Sequence, residues 1–379
     1  MGVIVRVFEA FSGVGAQRMA LRNLGIPHEV VGISEIDKFA IQSYEAIHGP
    51  TRNFGDISKI DPNHLPDFDL FTYSFPCQDL STAGKQQGMI KGQTRSGLLY
   101  ECEKIIEAKR PKYLLLENVK NLVGTKFRPA FEEWLAYLES LGYTNYWQVL
   151  NAKDFNIPQN RERVFVVSVL GEHTGYEFPN PQSLQWCLGD FLEENVDEKY
   201  YLNRPFHLLD KPIKEAHEIQ EVGFLPYQHH QVKQHQSNTV YWTGGINPTL
   251  AATDYKNPTK IIVPNIVQSA LLEGATFQQD AKVQGCQGCA RTILARDWKD
   301  AQRILIESEN GYRVRKLTPL ECWRLMGFSD NDFDCAKSSG MSNTQLYKQA
   351  GNSIVVSVLE GIFSELFQCV HYEYETQNL

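Results

Sequence analysis

Between residues 3 and 170, short apolar runs alternate with longer amphipathic stretches, and this alternation narrows the fold more than any other feature of the chain. Residues 3–8, 28–33, 69–73, 113–117, 146–150 and 163–170 are rich in Val, Ile, Leu, Phe and Tyr and read as strands. Residues 15–24, 37–48, 98–109 and 127–141 carry helical spacing between them. Arg110-Pro111 ends the third helix, and Gly142 stops the fourth. Alternation of this kind implies an α/β fold, a doubly wound and mostly parallel sheet.

The texture changes at Pro179-Asn180-Pro181. From there to about residue 311, Pro, Gly, Asn, Gln and His are frequent and periodicity is weak. Regular patterning returns with a helix expected over 317–326, where Thr318-Pro319-Leu320-Glu321 forms a start signal, and with an apolar helix over 353–367. The expected organisation is a first domain over 1–178, a smaller irregular domain over 179–312, and a segment, 313–379, that returns to complete the first. A length of 379 residues suits two or three domains, and 42% hydrophobic with 22% charged residues excludes a disordered or collagen-like chain.

The net charge of −8 argues mildly against a nucleic-acid partner, but it is unevenly spread. Residues 201–320 hold 14 Lys/Arg against 11 Asp/Glu, so this region is basic while the remainder is acidic. The eight cysteines are scattered, and no secretory signal or membrane-length apolar run is read, so a cytoplasmic protein with free thiols is expected. Cys286-Gln287-Gly288-Cys289 lacks a second ligand pair and reads as two free thiols, with no metal site.

Chemistry-bearing residues, the two arginines of 159–163 included, are expected at the C-terminal ends of strands. Phe11-Ser12-Gly13-Val14-Gly15 follows the first strand and opens a helix, a turn that lets a ligand approach the backbone. Glu35, 20 residues beyond Gly15, stands where a doubly wound fold places a ribose-binding acid, and Asp56 offers a carboxylate to an adenine amine. The full G-x-G-x-x-G is missing, which disfavours NAD. Ser74-Phe75-Pro76-Cys77-Gln78 puts a cysteine on the loop leaving a central strand. Residues 78–97, with four glycines, read as a lid. Glu117 ends the strongest strand, and Gln159-Asn160-Arg161-Glu162-Arg163 sets two arginines on an extended segment.

In this order the segments resemble the motifs of the DNA (cytosine-5-)-methyltransferases, above all their bacterial, mollicute and phage members. The resemblance extends to Thr94-Arg95-Ser96-Gly97-Leu98-Leu99, Arg315-Lys316-Leu317-Thr318-Pro319 and Gln349-Ala350-Gly351-Asn352-Ser353, and so spans nearly the whole chain. Glu9-Ala10 departs from it where many members have Asp-Leu. The resemblance implies the class I S-adenosylmethionine-dependent, Rossmann-like fold, with a target-recognition domain in the irregular region. It implies that Cys77 attacks carbon 6 of a flipped-out cytosine, that Glu117 serves ring nitrogen 3 and that Arg163 binds the base carbonyl. Arg161 would support the site or a phosphate. S-adenosylmethionine would lie on Phe11, Gly13, Val14, Gly15, Glu35, Ile36, Asp56, Ile57, Pro76, Leu98, Asn352 and Ser353. DNA would meet Gln78, Ser81, Lys85, Arg95 and the pair Thr249-Leu250. Double-stranded DNA is the implied partner of a monomeric enzyme, with a cognate restriction endonuclease beside it in a restriction-modification setting or none in a phage. Two other readings stay open at this point: a tRNA cytosine-5 methyltransferase and a catalytically silent DNA-binding protein.

Overall fold

The computed structural model describes residues 4–377 except 78, 81–87, 91–92, 203–206, 209–217, 220, 225–238, 253, 255, 257 and 265–311. The chain forms two compact units. The first comprises residues 1–186, 249–256 and 322–379, the second residues 187–248 and 257–321. Relative to the expected boundaries, 179–186 and 249–256 belong with the first unit and 313–321 with the second. The pair Cys286–Cys289, with the basic stretch around it, lies outside the described residues.

The first unit is built on a six-stranded sheet. Its strands are β1 (Val5–Ala10), β2 (His28–Ser34), β3 (Leu70–Tyr73), β4 (Tyr113–Val119), β5 (Tyr143–Asn151) and β6 (Glu162–Leu170), in the spatial order 2-1-3-4-6-5. The pairs β1–β2, β1–β3 and β3–β4 are parallel, whereas β6 runs antiparallel to both β4 and β5. The helices are α1 (Ala16–Asn23), α2 (Lys38–His48), α3 (Leu99–Lys109), α4 (Arg128–Ser140), α5 (Pro319–Arg324, of which residues 322–324 fall in this unit), α6 (Asp330–Ser338), α7 (Asn343–Asn352) and α8 (Val356–Gln377).

Aromatic side chains fill one face of the sheet. Phe8 stacks on Phe68 and Phe71 at centroid distances of 5.3 and 5.8 Å, and Phe71 stacks on Tyr73 at 5.2 Å. Ile105 and Ile106 of α3 and Phe131, Trp134 and Leu138 of α4 close this core. α1 and α8 pack against one another. The stretch Asn343–Phe367 is long and apolar enough to cross a membrane by length and composition, contrary to the reading of the sequence, but more than half of it is buried inside the protein. Its apolarity is that of a core helix: Val356, Leu359, Ile362 and Phe363 are fully buried.

Strand order explains where a ligand can go. Leaving β1, the chain moves first to β2 on one side and then to β3 and β4 on the other. The turns after β1 and β3 therefore diverge and leave a crevice outside their C-terminal ends. Phe11 follows β1, and Ser74–Cys77 follows β3.

The second unit holds a five-stranded sheet of β7 (His207–Leu208), β8 (Glu221–Phe224), β9 (Thr239–Trp242), β10 (Lys260–Pro264) and β11 (Tyr312–Lys316), in the order 11-10-9-8-7. Val240, Ile262 and Val314 form its small core. Arg315 of the Arg-Lys-Leu-Thr-Pro motif is buried, paired with Glu321 at 2.7 Å. Glu321 also accepts the N–H of Thr318 at 2.8 Å, so this motif is explained by local structure.

Candidate active site and cofactor turn

Three of the expected catalytic side chains come together in the first unit. Cys77 lies four residues beyond the end of β3, and Glu117 is in the last turn of β4's pleat. Arg163 reaches them for a reason hidden from the sequence. Because β6 is antiparallel to β4, the start of β6 sits beside the end of β4, with Val119 opposite Arg163. The expectation of arginines at a C-terminal strand end is corrected in that respect. Arg163 Nε lies 3.2 Å from Glu117 Oε1, a largely buried ion pair.

The electrostatics of the three groups are coupled. Burial and the nearby Glu117 carboxylate push the Cys77 thiol above its ordinary value, opposed by Arg163 and Arg161. Burial also raises Glu117, opposed by the same two arginines. A carboxyl with a raised pKa facing a cysteine suits a proton donor beside a nucleophile.

The backbone around Cys77 is fastened from several directions. Asn118 donates its amide to Phe75 O at 3.0 Å, and the Ser96 hydroxyl donates to Pro76 O at 2.7 Å. Asp79, buried, accepts the N–H groups of Arg95 at 2.9 Å and Ser96 at 3.3 Å. Sequence reasoning gives none of these three residues a role, although Ser96 lies within the Thr94–Leu99 motif. Their signal is their position in or beside the motifs, which says nothing of the hydrogen bonds they make. Gln78, Ser81 and Lys85 lie outside the described residues, and Arg95 is exposed.

Arg161 behaves differently from Arg163. It is 4% exposed, and its guanidinium donates to the carbonyls of Leu250 at 2.8 Å, Gly351 at 3.2 Å and Ser353 at 2.7 Å. It thus ties two distant segments to the start of β6. Gln159 joins in, donating to Leu325 O at 2.7 Å and accepting the N–H of Leu250 at 3.1 Å. The Thr249 hydroxyl donates to Asn160 O at 2.5 Å, and the Leu250 side chain is buried. Gly351 lies so close to the backbone of Ala251 and Ala252 that no Cβ would fit.

The turn after β1 is tightly wound. Phe11, Gly13 and Gly15 all have positive φ, 56°, 55° and 81°. Glu35 Oε2 accepts the N–H of Gly13 at 2.9 Å, while Oε1 accepts the N–H groups of Ile36 and Asp37 at 2.8 and 2.9 Å. Asp56 caps the short helical turn Ile57–Lys59 by accepting the N–H of Ser58 at 3.0 Å. Val14 and Ile57 point into the core, so their backbones are what a ligand would meet. Phe11 and Leu98 are half-buried. Asn352 ends α7 with its side chain exposed, beside Ser353.

Residues 5–368 match the family model of the C-5 cytosine-specific DNA methylases. The chain belongs to this family. It is 40% identical to the type II methyltransferase M2.ScrFI of Lactococcus lactis subsp. cremoris, over 96% of this chain and 99% of that one. It is 33% identical to the orphan methyltransferase M.SPBetaI of Bacillus phage SPbeta, over 96% and 97%. In fold it is similar to the Dnmt2 methyltransferase of S. pombe, with a TM-score of 0.64 at 19% identity, covering 97% of this chain and 99% of that one.

As a C-5 cytosine-specific DNA methylase, the chain is an S-adenosylmethionine-dependent enzyme whose substrate is DNA. The residues present suit that cofactor. Ile36 is 74% exposed and Phe11 is half-buried, and their segments are joined where Phe11 N–H donates to Ser34 O, so both could offer apolar surface to an adenine ring. When bound, the cofactor supplies an electrophilic methyl group.

Proposed function

We propose that Cys77 adds to carbon 6 of a cytosine turned out of duplex DNA, making carbon 5 nucleophilic enough to take the methyl group. Glu117 gives a proton or hydrogen bond to ring nitrogen 3 as charge develops there, and Arg163 binds the base carbonyl. Loss of the carbon 5 proton and of Cys77 then restores the ring. What supports the reading is the ion pair between Glu117 and Arg163 next to Cys77, one donor group for each polar edge of the pyrimidine. A cytosine entering the site would take the place of their contact with one another. Arg161 holds the Leu250 and Ser353 backbones instead and acts from behind the site.

In this proposal the cofactor lies on the Phe11–Gly15 turn, with Glu35 on the ribose, Asp56 on the adenine amine, and Ile36, Ile57, Pro76, Leu98, Asn352 and Ser353 around it. The second unit reads sequence through base edges, while the first makes the bond. Gln78, Ser81, Lys85 and Arg95 meet DNA near the flipped base. We assign the enzyme to the cytoplasm, acting as a monomer on double-stranded DNA in a restriction-modification or phage setting, with a cognate endonuclease in the former. Bisulfite sequencing of DNA from cells expressing the chain tests the reaction: methylcytosine at one short sequence is expected, and unmodified DNA from cells holding folded protein would contradict it.

A further inference from the structure

Beneath the cofactor turn lies a buried network that the reaction does not use. Glu9, on β1, is 0% exposed. Its Oε2 accepts the hydroxyl of Tyr44 at 2.5 Å, and its Oε1 accepts the backbone N–H of Arg18 at 3.1 Å, in the first turn of α1. A helix start ordinarily takes its cap from the residue just before it. Here that residue is Gly15, which has no side chain to offer. Glycine is imposed: φ is 81°, and a Cβ would fall 2.5 Å from His48 Nε2 and 2.7 Å from Tyr44 Cε2. The capping of α1 has passed to a carboxylate on the strand beneath.

The α2 side of the network reaches the same turn. His48 Nε2 lies 3.1 Å from the carbonyl of Val14, and the His48 ring packs on Tyr44 at 4.7 Å. Burial and Arg18 push His48 down to about 4, so the ring is neutral at physiological pH and Nε2 carries the hydrogen that Val14 accepts. The turn is therefore held at Gly13 by Glu35, at Val14 by His48, and at its α1 end by Glu9.

We propose that Glu9 is a positioning residue for S-adenosylmethionine: ionised, it fixes the α1 end of the Phe11–Gly15 turn through Tyr44 and Arg18, and proton uptake by Glu9 weakens cofactor binding. The inference rests on the reading that this turn holds the cofactor. Both groups facing the Glu9 oxygens are donors, so the carboxylate satisfies both, whereas a carboxylic acid brings a third hydrogen into the same space. The charged and titratable neighbours are few. Arg18 and Arg22 come from α1, the former bonded to Thr51 at 2.9 Å and the latter paired with Asp332 of α6 at 3.0 Å. Tyr44 and His48 come from α2. Burial, opposed by Tyr44 and Arg18, pushes the Glu9 carboxyl up to about 7, so the change falls in the neutral range.

The test is calorimetric titration of the intact chain with S-adenosylmethionine from pH 6 to 8.5, in buffers of differing ionisation heat, without DNA. The variants are Glu9→Gln, Tyr44→Phe and Glu35→Ala. Relative to Glu9→Gln, the wild type should lose about threefold or more in affinity from pH 8 to pH 6 and release extra protons on binding near pH 7. Tyr44→Phe removes a donor that favours the ionised form, so its transition should move to higher pH. The same pH profile and proton release in wild type and Glu9→Gln would overturn the proposal. Should Glu9→Gln fail to fold, an unmoved transition in Tyr44→Phe would overturn it. Glu35→Ala separates the two readings. Unchanged affinity in that variant contradicts the placement of the cofactor, whereas weakened affinity there, with wild-type behaviour in Glu9→Gln, contradicts the role of Glu9 alone.

Discussion

Cys77 is the nucleophile of the proposed reaction, yet its surroundings favour the thiol over the thiolate. Burial and Glu117 both raise its pKa, opposed by Arg163, a backbone hydrogen bond at Cys77 itself and Arg161. A resting thiol is protected from oxidation and alkylation until a base enters. Glu117→Gln should therefore split two properties that usually move together. Removing the carboxylate charge lowers the Cys77 pKa, so alkylation of Cys77 by iodoacetamide at pH 7.5, followed by peptide mass spectrometry, should speed up. Methyl transfer should slow by roughly 100-fold or more, as on loss of a general acid. Slower alkylation in the variant would refute the electrostatic reading. Glu9 gives a second prediction. Its pKa is raised in the fold, so its burial costs stability that grows as pH rises from the unfolded value through about 7. The stability of Glu9→Gln relative to wild type should therefore rise from pH 5 to pH 8, read as unfolding temperatures across that range, and a difference that does not change with pH would contradict a raised Glu9. Phe11, Cys77 and Glu117 could be read as candidates because each lies at or just beyond the C-terminal end of a strand and carries a side chain with little reason to be there otherwise. The Glu9–Tyr44 bond could not be read, since nothing local links residues 35 positions apart.

The direction of β6 decides how the active site is assembled. Four parallel strands send Phe11, Cys77 and Glu117 to one edge, and a fifth parallel strand would have carried Arg163 to the opposite edge. The antiparallel turn-back reverses that. Apolar runs show that strands exist, but pairing direction depends on connections and on neighbours far along the chain, which periodicity does not record. The same limit applies to α6 and α7, whose polar faces gave no strong pattern between the two helices that were expected. Arg161 shows a related point: the motif named the residue, and the structure gives its partners. Its guanidinium spans three carbonyls from two segments, a geometry that the single ammonium of lysine cannot reproduce. Arg161→Lys should destabilise the protein by about 2–4 kcal/mol in chemical denaturation, because buried carbonyls lose charged donors. A loss below about 0.5 kcal/mol would mean that the tie is not structural.

Across the whole molecule, composition located the irregular region, but its borders follow packing. Residues 249–256 lie in the middle of that region and yet belong to the first unit, held by Gln159, Asn160 and Arg161. Beyond the Thr249-Leu250 pair no compositional signal marks them, because Leu250 is held through its backbone N–H and carbonyl and only Thr249 adds a side-chain hydroxyl. The division has a practical consequence. A chimera that takes residues 187–248 and 257–321 from a relative, but keeps 249–256, should fold, methylate DNA and adopt the donor's target sequence on bisulfite mapping. Methylation at the original site would contradict the assignment of sequence reading to the second unit. The reaction itself is tested most directly by duplex DNA carrying 5-fluorocytosine at the target position. Once the methyl group reaches carbon 5, the fluorine there cannot leave as a cation, so the enzyme cannot be released. A protein–DNA adduct that survives denaturation, forms only with S-adenosylmethionine and maps to Cys77 is the expected result. An adduct on another cysteine, or none from an enzyme active on ordinary DNA, would contradict it.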